Sequence, residues 1–174
     1  MGRDGSIDER AVQELIERKA VEDVLYRYAS SIDQKDYPTL RSVMTDDIVA
    51  QYGEAPEIHG GDSLVKWIEE MSVEQGFQHH LINVYHVDLD LDRGEARALT
   101  YHTSHQIRPS DPDRVLLIVG RYRDVLRRGD GGWKIADKRM ELGWMEERHY
   151  SQAAAAEREI SENLAAQQRS EGTK

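Results

Sequence analysis

The sequence of 174 residues has no cysteine, one phenylalanine and four prolines. Without cysteine there can be no disulfide bond, thiolate metal site or cysteine nucleophile, and this composition suits a reducing compartment. No stretch approaches the roughly 20 consecutive apolar residues that a membrane-spanning helix needs. The opening segment, MGRDGSIDER, is charged and does not resemble a signal peptide. We therefore expect a cytoplasmic protein that has no membrane partner.

Positive charge is also scarce, since 23 lysines and arginines face 33 aspartates and glutamates and give a net charge of −10. Binding to nucleic acid needs a clustered basic surface. The densest basic run, Arg121 to Arg128, is interrupted by Asp124 and has the pattern of a solvated strand. We expect no nucleic-acid partner.

Several motifs are missing as well. The chain has no P-loop, no GxGxxG segment, no GxSxG elbow and no HExxH pair. Its seven histidines form no cluster at metal-ligand spacing. The sequence therefore predicts neither a cofactor nor a metal site.

The first third of the chain has helical periodicity. Residues 6–34 predict one long amphipathic helix, with Ser6 and Glu9 as a capping box. Its expected apolar positions are Val12, Leu15, Ile16, Ala20, Val24, Leu25, Tyr28 and Ile32. A short helix over 37–44 and a helix capped by Asp62 or Ser63 follow, with a strand over 47–52 between them.

From residue 78 onward the apolar period becomes two. Extended strands are predicted over 78–91, 95–108, 114–127 and 132–146. The connections between them carry Gly, Asp, Ser and Pro and suit hairpins. The expected fold is α+β, with helices covering one face of a curved sheet.

The chain predicts a single domain over residues 1–150. Residues 151–174 are rich in Ala, Glu and Gln and have little apolar surface. We interpret them as a helical extension that ends in a flexible tail.

Strand parity sorts the histidines. His80 and His86 should share one face of their strand, while His79 and Asn83 share the other. His102 and His105 are three apart in the next strand, so they should point to opposite faces and cannot chelate one metal together. Parity leaves two interpretations open: a sheet that lines a pocket, or a half-buried sheet with incidental polar residues.

Asp33 stands at the C-terminal end of the first helix, where the helix dipole disfavours negative charge. A carboxylate there needs a cation or a hydrogen-bond donor, which a histidine could supply. The alternative is that Asp33 caps the turn over 34–36. The residues by themselves do not choose between these interpretations.

The segments ERKAVEDVLYRYASSIDQKDYPTLRSVMTDDIV, HHLINV and VGRYRDVLRRGDGGWKIADKR resemble, in order and spacing, the SnoaL-like proteins of the nuclear-transport-factor-2-like superfamily. The resemblance covers roughly residues 8–146. It implies a cone-shaped α+β fold in which N-terminal helices and a curved mixed sheet enclose a deep pocket. Within the superfamily the chain is most similar to scytalone dehydratase, bile acid 7α-dehydratase and hexachlorocyclohexane dehydrochlorinase.

That resemblance also implies site residues. Asp33 and His80 match the family's catalytic aspartate and histidine, and Tyr28 matches a tyrosine five residues before that aspartate. The remaining candidates, which would contact substrate, are Tyr52, His105, Tyr122, Asn83 and Arg139.

The function implied is cofactor-independent acid–base chemistry, either dehydration or the related isomerisation or cyclisation. The expected substrate is a small apolar ring or polycyclic compound such as a steroid or polyketide. The resemblance further implies a homo-oligomer, either a trimer or a dimer. Two alternatives remain: an apolar-ligand binding protein, and an assembly subunit that resembles the β subunit of ring-hydroxylating dioxygenases.

Overall fold

The structure is a computed structural model and describes residues 7–149. The predicted extension over 151–174 and the predicted cap Ser6 lie outside the described residues. Three helices and six strands follow one another as α1 (Glu9–Gln34), α2 (Tyr37–Ser42), β1 (Met44–Tyr52), β2 (Ile58–His59), α3 (Gly61–Ser72), β3 (Phe77–Asp90), β4 (Glu95–Arg108), β5 (Asp111–Gly129) and β6 (Gly132–His149). Between residues 7 and 149, no helix is both long enough and apolar enough to cross a membrane.

The six strands form one open mixed sheet in the order β2-β1-β6-β5-β4-β3. The four long strands β3 to β6 pair antiparallel in chain order, which confirms the predicted hairpins. β1 runs parallel to β6 and pairs antiparallel with the short β2. The α+β class and the curved mixed sheet covered by N-terminal helices are thus confirmed.

Two predicted helix starts are corrected. α1 begins at Glu9, because the side chain of Asp8 accepts hydrogen bonds from the backbone N–H groups of Arg10 and Ala11. α3 begins directly after Gly60, whose φ of 89° turns the chain into the helix without a side-chain cap. Neither side chain predicted to cap α3 is needed there, since glycine adopts this left-handed conformation without strain.

The buried face of α1 differs from the predicted stripe at its N-terminal end. The predicted apolar residues Val12, Leu15 and Ile16 are exposed. The residues that α1 buries are Glu17, Val21, Leu25, Tyr28, Ala29, Ser31 and Ile32. Only the part of the helix after its second turn therefore packs on the sheet, and the apolar positions before it have no described neighbours to cover them.

Shifts in strand pairing bend the sheet. On β3 the register shifts between Val84 and His86, so Val87 rather than His86 is buried. A second shift lies where Gly120 of β5 pairs with β6. A Cβ at Gly120 would come within 2.6 Å of the Glu141 carbonyl oxygen, so only glycine allows this close approach. Such bulges increase local twist and reverse which side chains face inward.

Helix α1 covers the open edge of the sheet at β3. The side chain of Arg18 donates a hydrogen bond to the carbonyl oxygen of Val87. At the other end of the helix, Lys35 Nζ donates to the carbonyl oxygen of Gln75, just before β3, at 2.6 Å. An edge strand exposes unpaired backbone groups, and Arg18 of α1 satisfies one of them at Val87.

A buried ion pair lies between α1 and the sheet. Lys138 Nζ on β6 is 3.0 Å from Asp124 Oδ1 on β5, and the two side chains are 1% and 0% exposed. The ammonium also lies over the rings of Tyr28 and Tyr122, 4.1 and 3.7 Å from their centroids. Burial lowers the pKa of Lys138 and raises the pKa of Asp124, while each charge opposes the shift of the other.

We expect Lys138→Met to lower the free energy of unfolding by about 3–5 kcal/mol, because it leaves the Asp124 carboxylate buried without a partner. The double variant Lys138→Met/Asp124→Leu should recover most of that loss, since apolar side chains can replace a buried ion pair. Urea unfolding of wild type, single and double variants measures the coupling. Equal losses in the single and double variants would contradict a paired charge.

Candidate active site

A cavity of about 300 Å³ lies between the inner face of the sheet, the C-terminal half of α1 and helix α3. Both apolar and polar side chains line it. They are Tyr28, Ile32, Tyr52, Trp67, Ile68, Met71, Ser72, Gln75, Gln78, His80, His102, Ser104, Gln106, Arg108, Leu116, Ile118, Tyr122, Met140 and Met145. The apolar wall is the larger part, as is usual for sites that bind small organic molecules.

Asp33 and His80 meet at this cavity although 47 positions separate them in the chain. His80 Nδ1 is 2.6 Å from Asp33 Oδ1, and the backbone N–H of His80 donates to Asp33 Oδ2 at 2.9 Å. The two side chains are 9% and 21% exposed. A carboxylate that accepts from Nδ1 fixes the imidazole orientation and leaves Nε2 with a free lone pair. The alternative that Asp33 caps the next turn is wrong, because both of its oxygens bind His80 and the backbone N–H groups of Lys35 and Asp36 donate to main-chain carbonyl oxygens instead.

Two tyrosine hydroxyls bond to each other on the cavity wall. The hydroxyls of Tyr28 and Tyr52 share a short hydrogen bond, and the Tyr52 ring stacks on Trp67 with centroids 4.7 Å apart. Burial raises the pKa of both tyrosines well above the ordinary value, so both keep their protons at neutral pH. One of the two protons is used between the hydroxyls, and the other is available to a ligand oxygen.

A second histidine, His102, lines the same cavity and was missed by sequence reasoning. It is 4% exposed, and its ring centroid is 6.2 Å from that of His80 and 4.5 Å from that of Tyr122. Burial lowers the pKa of His102 to about 4, so its imidazole is neutral at pH 7. Its Nδ1 is buried and has no hydrogen-bond partner.

The pairing of β3 with β4 explains why His102 rather than His105 faces the cavity. His80 lies opposite Ser104, so the even-numbered residues of β4 share its face. The candidate His105 lies on the outer face, where it pairs with His79 and their rings stack 5.8 Å apart. The predicted split between His102 and His105 is confirmed, and the placement of His105 in the pocket is wrong.

Two other candidates also lie away from the cavity. Asn83 is exposed on the outer face of β3, three positions after His80 and therefore of opposite parity. Arg139 points outward from β6, where it binds Asp137 and Glu57. The adjacent Lys138 points inward. Neighbouring residues of a strand face opposite sides, so Lys138 is buried whereas Arg139 lies on the outer face.

The cavity also holds polar residues that were not among the candidates. Gln75 and Gln78 are 8% and 6% exposed, and each has a buried side-chain atom without a hydrogen-bond partner. Strand parity places Gln78 with His80, but only the structure brings in Gln75 from the loop before β3. Between residues 7 and 149, no three histidines or carboxylates gather as a metal ion would require.

Comparison with known proteins assigns the chain to a family. The model of the SnoaL-like domain matches residues 13–139. An uncharacterized protein of Mycobacterium tuberculosis, Rv2910c, is 25% identical over 126 residues, which are 72% of this chain and 84% of that protein. The matched region contains α1 from Gln13 onward, the sheet as far as Arg139, and the residues Asp33 and His80.

Solved structures share the fold at low sequence identity. A candidate scytalone dehydratase from Novosphingobium aromaticivorans aligns with a TM-score of 0.72 and 18% identity, over 80% of this chain and 92% of that one. A hexachlorocyclohexane dehydrochlorinase from Novosphingobium barchaimii aligns with a TM-score of 0.69 and 14% identity, over 79% and 94% of the two chains. With a family model that spans most of its length and a fold that these structures share, the chain belongs to the SnoaL-like domain family.

Proposed function

We propose that the protein is a cofactor-independent lyase that removes water from a compact ring compound carrying a carbonyl group. The observation that carries the proposal is the hydrogen bond between Asp33 and His80 on the wall of an apolar cavity. An oriented imidazole with a free lone pair is a general base suited to abstracting a proton. The names of the two structures above denote loss of water and loss of hydrogen chloride, which are both eliminations.

In the first step, His80 Nε2 takes a proton from the carbon next to the substrate carbonyl. The electron pair of the broken C–H bond moves onto the carbonyl oxygen and forms an enolate. Asp33 stabilises the imidazolium that results, because its carboxylate accepts the Nδ1 hydrogen bond. The free hydroxyl of the Tyr28–Tyr52 pair donates a hydrogen bond to the enolate oxygen and keeps its proton throughout.

In the second step, the enolate collapses, the carbonyl re-forms and the bond to the β-hydroxyl breaks. The imidazolium of His80 gives its proton to the departing oxygen, so water leaves and the imidazole returns to its neutral form. If the proton instead returns to another carbon of the substrate, the same groups carry out an isomerisation.

The neutral imidazole of His102 favours the proton transfer to His80 in the first step. His80 becomes positively charged after the first step, and a second imidazolium 6.2 Å away would oppose that charge. Because burial keeps His102 neutral, it offers a hydrogen bond without adding charge. Its ring lines the cavity beside that of His80.

The cavity favours a substrate with few rings. Its volume of about 300 Å³ is at the lower end of the range typical for small-molecule sites. A compact polyketide of two or three rings suits this space better than a four-ring steroid.

The Asp33–His80 pair gives the first test of the proposal. We expect His80→Gln and Asp33→Asn each to lower kcat on a bicyclic β-hydroxy ketone by a factor on the order of 10²–10⁴, because each removes the oriented base. Formation of the conjugated enone, followed by its ultraviolet absorbance, measures the rate. His79→Gln is the matched control, since His79 neighbours His80 but stacks on the outer face with His105. A His80→Gln protein with full turnover would rule out the mechanism.

The tyrosine pair gives a second test. Removing one oxyanion donor from an active site lowers kcat by a factor on the order of 10²–10³. We expect losses of this size for Tyr28→Phe and for Tyr52→Phe, with KM little changed. Because the two hydroxyls act through one hydrogen bond, the double variant should lose little more than either single variant. Fully additive losses would show that the hydroxyls act separately.

The pKa of His102 predicts a pH dependence of stability. Its folded pKa of about 4 lies below the ordinary value of 6.5, so between these values the unfolded chain binds a proton that the folded protein does not. The loss of unfolding free energy that results is absent above pH 6.5 and grows as the pH falls toward 4. Melting temperatures over this range should fall less steeply for His102→Asn than for wild type. Parallel curves would contradict a neutral, buried His102.

A further inference from the structure

Among the described residues that line the cavity, Arg108 is the only one that carries a permanent charge. The others are apolar or aromatic side chains, neutral amides, hydroxyls and histidines. The chain as a whole has a net charge of −10, so a cation in this wall runs against the general balance of charge. A guanidinium keeps its charge at any physiological pH. Arg108 therefore sets the sign of the charge that the cavity wall presents.

Arg108 lies at the opening of the cavity. Three of the lining residues are exposed, namely Arg108, Met71 and Met145, and they mark where the cavity meets solvent. Arg108 ends β4, four residues after Ser104, which lies opposite His80 on β3. Four residues of an extended strand span about 13 Å. Arg108 therefore belongs to the end of the cavity that is remote from His80.

Within residues 7–149, the guanidinium of Arg108 makes no salt bridge and no hydrogen bond. Every other arginine in that range binds a carboxylate or a carbonyl oxygen. Asp111 and Glu147 line a small side pocket together with Arg108, but Arg114 binds both of them, at 3.0 and 2.8 Å. Arg108 lines the main cavity as well as this side pocket, so its donors remain available to a ligand in the cavity.

The chemistry of a single free guanidinium favours a carboxylate as its ligand. Its planar set of N–H donors binds the two oxygens of a carboxylate through parallel hydrogen bonds. A neutral carbonyl or hydroxyl oxygen accepts a hydrogen bond but leaves the charge uncompensated. The opening also suits an anion, because part of the group stays in water and its desolvation costs less there. Beside His80, by contrast, the carboxylate of Asp33 would repel an anion.

We propose that Arg108 binds a carboxylate group of the substrate at the opening of the cavity. The term substrate rests on the proposed function, whereas binding of a carboxylate by Arg108 does not. The substrate class is then a compact ring compound with its reacting carbonyl group at the His80 end and a carboxylate at the other end. Such an acid places its rings against the apolar wall and its charge at the edge of the solvent.

The test compares 2-naphthoate with its neutral isostere 2-naphthamide by isothermal titration calorimetry at pH 7, where the naphthoate is ionised. The ratio of the two dissociation constants measures the preference for the anion. We expect this preference to be about fivefold smaller in Arg108→Met than in wild type, which is the size of effect that an exposed ion pair gives. Arg108→Lys keeps the charge without the paired donors, so it should retain part of the preference.

Ionic strength gives a second measurement on the same proteins. Salt screens the attraction between exposed charges. Raising sodium chloride from about 0.05 M to about 1 M should therefore weaken the preference for 2-naphthoate in wild type. The same change should leave the smaller preference of Arg108→Met nearly constant.

Arg93→Met is the matched control. Arg93 is exposed and lies in the turn before β4, at the end of that strand opposite to Arg108. Its substitution changes the net charge by the same amount and should leave the preference as in wild type. The melting temperature of Arg108→Met should equal that of wild type, because the Arg108 side chain is exposed and binds no other group within residues 7–149.

Three results would overturn the assignment: no binding of 2-naphthoate to wild type, the same preference in wild type and Arg108→Met, or an equal loss of preference in Arg93→Met. A marked fall in the melting temperature of Arg108→Met would also overturn it, since it would assign Arg108 a structural role. Failure of the proposed function is a separate outcome. If His80→Gln retained full turnover while Arg108→Met lost the preference, the carboxylate site would stand and the lyase mechanism would fall.

Discussion

The carboxylate of Asp33 is the interaction on which the rest of the site depends. β3 is the edge strand of the sheet, so backbone groups on its open side have no neighbouring strand to bind. Asp33 accepts the backbone N–H of His80 with one oxygen and its imidazole Nδ1 with the other. A single side chain thus binds a backbone N–H on the open edge of the sheet, links the end of α1 to β3 and orients the His80 imidazole.

Burial beside the cavity sets the protonation states of the groups that the proposed chemistry uses. The Lys138–Asp124 pair is fully buried, with the ammonium over the rings of Tyr28 and Tyr122. Burial also keeps Tyr52 protonated and His102 neutral. A low-dielectric interior that excludes water strengthens each of these electrostatic contributions. Removing one charge of the ion pair should therefore disturb the fold and the tyrosine hydroxyls together.

The bends of the sheet decide which face of each strand lines the cavity. Before the register shift at Val84, the even-numbered residues of β3 point inward, as Gln78 and His80 do. After it the odd-numbered residues point inward, so Val87 joins the core and His86 is left in solvent. The site is confined to the segment of β3 before the shift, and the core lies after it. A straight strand without this bulge could not place both His80 in the cavity wall and Val87 in the core.

The sequence by itself determined the helices, the long strands and their hairpins, whereas the pairing of Asp33 with His80 was implied only by the family resemblance. The helices, strands and hairpins follow from local periodicities and turn residues, which can be recognised in neighbouring positions of the sequence. The tertiary structure alone placed Gln75, replaced His105 by His102 and distinguished Lys138 from Arg139. The choices between His102 and His105 and between Lys138 and Arg139 depend on strand register, because a shift of one residue moves a side chain to the opposite face of a sheet. Gln75 reaches the cavity from the loop before β3. Register is set by contacts between distant segments, and no local pattern in the sequence specifies it.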